Sequence, residues 1–316
     1  MKRLPRILGS RLSLIVQFKV LIFQFLFKRR YFGGVDLISV VLDNTDINKI
    51  YKSGQCFGIS LNPFVNGEYW CVSGNRFCRV VDKGDCSCLL TCFDEDEHYW
   101  LNYFDMETDY YKIAMEYLIK DNTNLSKDVV RCSKGLRMLN QEFPDCLLSF
   151  ITSQRKSVPA IRTAIDGFCK KYGERYKLED YFGEEYTGIE IYTFPDENRS
   201  ERVEVEGLDS LGFGYRSSYI LSAIHNMKED WMKTNYLKSC GYDEAKYQLM
   251  RLHGVGVKVA NCVLLYSLGY KDAYPRDVWI QRFEDEYCNG HFNDEDYKGI
   301  AGIIQLWQYH FMMHGR

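Results

Sequence analysis

The twelve cysteines of this 316-residue chain include no C-x-x-C pair. They are scattered singly, and no small-residue cleavage site lies near the start, which argues for reduced cytosolic thiols rather than a disulfide framework. The nearest thing to a metal-ligand cluster is Cys86, Cys88 and Cys92 with His98. That stretch alternates like a strand, and no metal site is expected. A membrane span is also missing. "LSLIVQFKVLIFQFLF", from Leu12 to Phe27, is interrupted by Lys19 and two glutamines and falls short of the about 20 apolar residues a bilayer requires. Residues 1–34 therefore read as a basic and apolar extension that is dispensable, the product of a start placed too far upstream, and membrane contact is not expected of them. There is no excess of positive charge either. The net charge is −3, and the acid-free residues 1–34 hold eight of the 40 Lys and Arg, leaving the rest of the chain at −11. Such a field does not attract nucleic acid, so any DNA contact has to come from a local face.

What is present is a core. With 46% hydrophobic and 15% aromatic residues, the chain is globular and long enough for one large domain or two smaller ones. From Asp36 to about Phe104 the texture is β. Short runs such as "YWCVSG", "RFCRVV" and "CSCLLTCF" are broken by the hairpin dipeptides Asn66-Gly67, Gly74-Asn75 and Lys83-Gly84. This predicts an antiparallel sheet in a domain spanning 35–108. From about Tyr110 the period becomes helical, as in "DCLLSFITSQ", "VPAIRTAIDGFCKKYG" and "YDEAKYQLMRL". This predicts a mainly α-helical domain over 109–316, and so an α+β chain. Only the stretch near 172–205 is poorly patterned, and it reads as a loop.

The stretch "RLHGVGVKVANCVLLYSLGYKDAYPRDVWIQRF", Arg251 to Phe283, admits two readings. Gly254 and Gly256 with Asp277 loosely resemble a dinucleotide fingerprint, but that motif needs a strand before its first glycine and a third glycine after it. Here a helical period of Ala245, Leu249 and Leu252 precedes, and Val259 stands at the third position. A helix-hairpin-helix over 243–268 fits instead. Val257, Ala260, Leu264 and Leu268 form the buried stripe of its second helix, and the unpaired amides at that helix's start are free to bind a phosphate oxygen. Lys258 lies in the first turn, against the positive end of the helix dipole, and a nucleophilic amine must be neutral to attack. Asp277 precedes the helical "VWIQRFED" and can cap it, a role that leaves it free to act in chemistry as well.

These residues resemble the signature of the helix-hairpin-helix DNA glycosylase superfamily, and within it the 8-oxoguanine DNA glycosylase branch. The branch's L-P-G-V-G-x-K-V-A-D-C reads here Leu252 to Cys262, with His253 for Pro and Asn261 for Asp. "SGQCF" (Ser53–Phe57), "LGFGYR" (Leu211–Arg216) and "AGIIQLWQY" (Ala301–Tyr309) resemble three further motifs of the branch, in the same order, so the resemblance covers about residues 36–316. There are departures. Arg155 and Lys156 stand where consecutive asparagines often fill the gap left by an extruded base, and Trp279 replaces a frequent histidine. Only Cys288 follows Asp277, so the four-cysteine cluster of another branch is absent.

The resemblance implies a bifunctional glycosylase and AP lyase acting on double-stranded DNA that carries a damaged base. Lys258 would be the nucleophile and Asp277 the electrostatic partner. Gly54, Cys262, Gln305 and Tyr309 would recognise the base, and Arg155, Tyr215, Arg216, Gly254 and Gly256 would contact DNA. Tyr215 would be the wedge that fills the stack, with Arg216 beside it on the backbone or the orphan base. No cofactor is implied. A monomer is expected, in the cytoplasm with the nucleoid or in the nucleus. Two alternatives stand beside this one. A glycosylase for alkylated or other damaged bases would not need the spacing of Gln305 and Tyr309, and the alkylated-base branch has no lysine at the position of Lys258. A non-catalytic DNA-binding module would need neither Lys258 nor Asp277.

Overall fold

A computed structural model describes residues 30–32 and 35–315. The extension expected over 1–34 lies outside the described residues except for Arg30–Phe32, which forms strand β1 of the sheet. The other strands of that sheet are β2 (Val35–Asp43), β3 (Ile59–Leu61), β4 (Glu68–Ser73), β5 (Arg76–Gly84) and β6 (Ser87–Phe93). They run in the order β1-β2-β6-β5-β4-β3, every neighbouring pair antiparallel. Gly74-Asn75 makes the two-residue β4–β5 turn, and Gly84 closes β5 with a register shift after Asp82. Cys88 and Cys92 are buried on β6, whereas Cys86 sits in the turn before it with φ +58°. The β texture expected as far as Phe104 stops at Phe93. Glu97–Tyr103 is a helix that buries Trp100 and Tyr103 against the sheet.

The body is helical. Its principal helices are α1 (Tyr110–Lys120), α2 (Asn124–Cys132), α3 (Phe143–Thr152), α4 (Val158–Tyr172), α5 (Ser217–Asn226), α6 (Tyr242–Met250), α7 (Val257–Tyr266), α8 (Val278–Tyr287) and α9 (Ala301–His314). Pro144 and Pro159 lie in the first turns of α3 and α4, where a missing N–H costs nothing. Helix α3 is buried along nearly its whole length and packs against α7, and α9 is buried almost as fully. The stretch 172–205 is not a loop. A two-stranded hairpin, β7 (Arg175–Lys177) with β8 (Glu190–Tyr192), frames two short helical turns that seat Phe182 and Tyr186 on Trp70, ring centroids 5.0 and 5.6 Å away. Elements this short show no period, and their order comes from packing on the sheet. Among the described residues no helix is long and apolar enough to cross a membrane.

Candidate active site

The turn between α6 and α7 is tightly constrained. Gly254 has φ +84°, and a Cβ there would lie 2.2 Å from Cδ2 of Tyr219, so only glycine combines that backbone with that close approach. Gly256, extended at φ −94° and ψ 179°, is the N-cap of α7 and is exposed. The first amides of α7 thus begin at the surface without intrahelical acceptors. Ala260, Leu264 and Leu268 are buried as expected, but Val257 is half exposed. It is the first residue of its helix and faces out beside the turn.

Lys258 follows Val257 and is half-buried. Its Nζ lies 5.1 Å from the centroid of the Phe150 ring, and its charge is near enough to Cys262, one turn on, to act on that thiol. Asp277 caps α8, with Oδ1 accepting the amides of Trp279 and Ile280 at 3.0 Å each. The loop before it is anchored by Arg276, which donates to Glu284 (2.9 Å) and Asp294 (2.8 Å). A cavity of about 700 Å³ lies between these pieces, lined by Lys258, Asp277, Gly54, Cys262, Gln305 and Tyr309, with the exposed Arg155 also on its wall. Six residues from three separated motifs therefore share one cavity.

Each wall has a local cause. Gly54 has φ +72° and stands against the Tyr309 hydroxyl, 3.3 Å from where a Cβ would be. Its neighbour Gln55 is buried and pinned on every side. Gln55 donates to Ser53 Oγ and the Arg137 carbonyl, while its own Oε1 and carbonyl accept from the Leu139 amide (2.8 Å) and Gln141 Nε2 (2.6 Å). Gln305 is 3% exposed; its Nε2 donates to the Pro275 carbonyl at 2.9 Å, while its Oε1 has no hydrogen-bond partner. An orphaned buried acceptor at a cavity wall points to a donor on a bound molecule. Burial pushes the Tyr309 phenol up, and the charges of Asp277 and Cys262 push the same way, so it stays a neutral hydroxyl. Burial also raises the Cys262 thiol, Lys258 opposes that, and Asp277 adds to it.

Tyr215 is exposed (52%) on the loop before α5. Arg216, expected on the DNA backbone or the orphan base, faces inward instead. It is buried, and its guanidinium donates twice to the Gln154 carbonyl and once to that of Phe213 (3.1 Å), so its donors hold the protein's own turn. Two supporting side chains escaped the sequence. Both lay inside quoted stretches, Gln55 in "SGQCF" and Gln154 at the end of "DCLLSFITSQ", but nothing local distinguished either from its neighbours.

Similarity to known proteins agrees with this geometry. Residues 38–147 match the family described as 8-oxoguanine DNA glycosylase, N-terminal domain. A probable N-glycosylase/DNA lyase of Methanothermobacter thermautotrophicus is 30% identical over 65% of this chain and 70% of its own length. The solved structure of MBOgg1 in complex with a low-affinity DNA ligand superposes with TM-score 0.77 at 26% identity, covering 91% of this chain and 98% of that one. The Clostridium acetobutylicum 8-oxoguanine glycosylase/lyase, solved with double-stranded DNA containing cytosine opposite 8-oxoguanine, shares the fold, with TM-score 0.77 at 24% identity over 90% of this chain and 96% of that one.

Proposed function

Because the chain belongs to the 8-oxoguanine DNA glycosylase branch of the helix-hairpin-helix DNA glycosylases, we propose that it excises 8-oxoguanine from duplex DNA and then cleaves the strand as an AP lyase. The observation that carries this reading is the convergence of Lys258, Asp277 and the unpartnered Gln305 Oε1 on one cavity. The glycosidic bond of a stacked base is out of reach, so the nucleotide is extruded into that cavity. Tyr215 fills the stack, and the first amides of α7, which follow Gly256, hold a backbone phosphate. Arg155 faces the site of the orphan base.

Lys258 attacks C1′ with its amine electron pair. The bond from C1′ to the base breaks, and the base leaves with that bonding pair and takes up a proton. Asp277 stabilises the positive charge that develops on the sugar. The amine now on C1′ gives up a proton, and its electron pair opens the C1′–O4′ bond as O4′ takes up a proton. The protonated Schiff base so formed between Lys258 and C1′ acidifies the neighbouring C2′ proton, and its loss expels the 3′ phosphate. Recognition turns on N7, which oxidation at C8 converts from an acceptor into a donor. A backbone carbonyl at Gly54 cannot rotate into a donor and so tells the two apart. One Gln305 N–H is already committed to Pro275. Its free Oε1 therefore accepts from the N1–H and N2 amino group of a guanine edge, a narrower role than the donor-and-acceptor one expected of a glutamine. Tyr309 and Cys262 close on the two faces of the ring.

The body divides into a sheet domain over 35–108 and a helical domain over 109–316 with the hairpin at 243–268, and the enzyme works where DNA is, at the nucleoid or in the nucleus. Borohydride in the presence of 8-oxoguanine duplex tests the whole scheme. Wild-type protein traps covalently, and Lys258→Gln binds the duplex but forms no adduct and does not nick it. An adduct from the variant would make another amine the nucleophile. Excision of alkylated purines with 8-oxoguanine ignored would overturn the substrate.

A further inference from the structure

Gln154 lies on the wall of the same cavity, where the Arg155 turn, the Tyr215 loop and the Gly254 hairpin meet. Its carbonyl takes two of the Arg216 donors, Nε at 2.8 Å among them, which ties the Ser153–Ser157 turn to the Tyr215 loop. Its side-chain Nε2 donates to the Gly254 carbonyl at 2.9 Å, which ties the same turn to the hairpin. The circuit closes through aromatic contacts. Tyr215 packs on Tyr219 at 5.7 Å, and Tyr219 packs on His253 at 4.5 Å and fills the space beside Gly254. Lys156 reinforces the turn by donating to the Gly212 carbonyl at 2.7 Å. Arg155 projects from the middle of this turn with φ +48°, a backbone conformation that survives in a non-glycine residue only where its surroundings over-determine it.

We propose that Gln154 is a positioning residue that locks Arg155, the Tyr215 wedge and the Gly254 hairpin into one rigid unit, so that gripping the backbone and opening the base pair happen together. This rests on the glycosylase activity proposed above and assigns it a residue that acts through the neighbours it holds. Without the side-chain bond, the hairpin still grips phosphate and Lys258 still attacks, but the wedge and Arg155 no longer enter the duplex at a fixed distance from the grip. The loss therefore falls on opening a pair and not on chemistry.

The test uses Gln154→Met, which keeps the length and removes the donor, and Gln154→Glu, which keeps the shape and removes the donor. Single-turnover excision at saturating enzyme is measured on 8-oxoguanine opposite cytosine, and on the same strand opposite an abasic analogue, where no pair has to open. The paired substrate should slow roughly tenfold, the order expected when a buried carbonyl loses its donor, while the unpaired one changes by less than about twofold. Borohydride trapping by both variants and unchanged melting temperatures should accompany that split. Equal slowing on the two substrates, or none on either, would overturn the assignment while leaving the activity intact. A wild-type protein that traps nothing would overturn both.

Discussion

Nε2 of Gln305 donates to the carbonyl oxygen of Pro275 at 2.9 Å, so a side chain on the last helix is aimed by the loop that leads into Asp277. The bond uses one donor and fixes the amide plane, and the oxygen of the same group is buried without a partner in a residue that lines the cavity. Removing the side chain should cost the lesion more than it costs the sugar chemistry. Gln305→Ala is expected to lower kcat/KM for 8-oxoguanine by the equivalent of about 1–3 kcal/mol and to leave cleavage at a preformed abasic site nearly intact. Parallel kinetics on the two substrates check it, and equal losses would remove Gln305 from base recognition.

Asp277 combines two roles that a single substitution can separate. As a cap it accepts two amides at the start of α8, and asparagine caps about as well as aspartate. As an anion it stabilises charge on the sugar, which asparagine cannot do. Asp277→Asn should therefore keep its melting temperature and lose roughly 10²-fold in excision rate. Asp277→Ala should lose the rate and about 1 kcal/mol of stability as well. Wild-type turnover in the asparagine variant would leave Asp277 as a helix cap alone.

Much of this architecture could be read from the sequence because the informative features are local. The two glycines, the lysine behind them and the capping acid lie within 24 residues, Gly254 to Asp277, where spacing and helical period suffice. The hairpin dipeptides marked the sheet for the same reason. What escaped depends on distance along the chain. Phe182 and Tyr186 are ordered by Trp70, more than a hundred residues earlier, and no period within 172–205 registers that. The inward turn of Arg216 depends on the Gln154 carbonyl 62 positions away. A Tyr-Arg pair in a motif looks the same whether its arginine faces DNA or the protein, and only the packed turn decides.

A carboxyl group in the first turn of α3 should make stability depend on pH. Asp145 is buried and accepts the Gly74 amide at 2.6 Å. Burial pushes its pKa from 3.8 to about 8; that amide opposes the rise and Glu142 adds to it. Folded protein thus holds this proton at neutral pH, whereas the unfolded chain has released it. A group raised in this way contributes stability that is fully present below about pH 4, declines as pH rises, and is gone above about pH 8. An asparagine in place of the acid resembles the protonated form and can still accept from Gly74. Asp145→Asn should therefore match the wild type near pH 4 and gain steadily above it. By pH 9 the gain in melting temperature should exceed about 2 °C, the shift that roughly 1 kcal/mol produces in a chain of this size. Thermal melts of both proteins from pH 4 to pH 9 measure it. A difference that stays constant across the series would mean that Asp145 does not change its ionisation on folding.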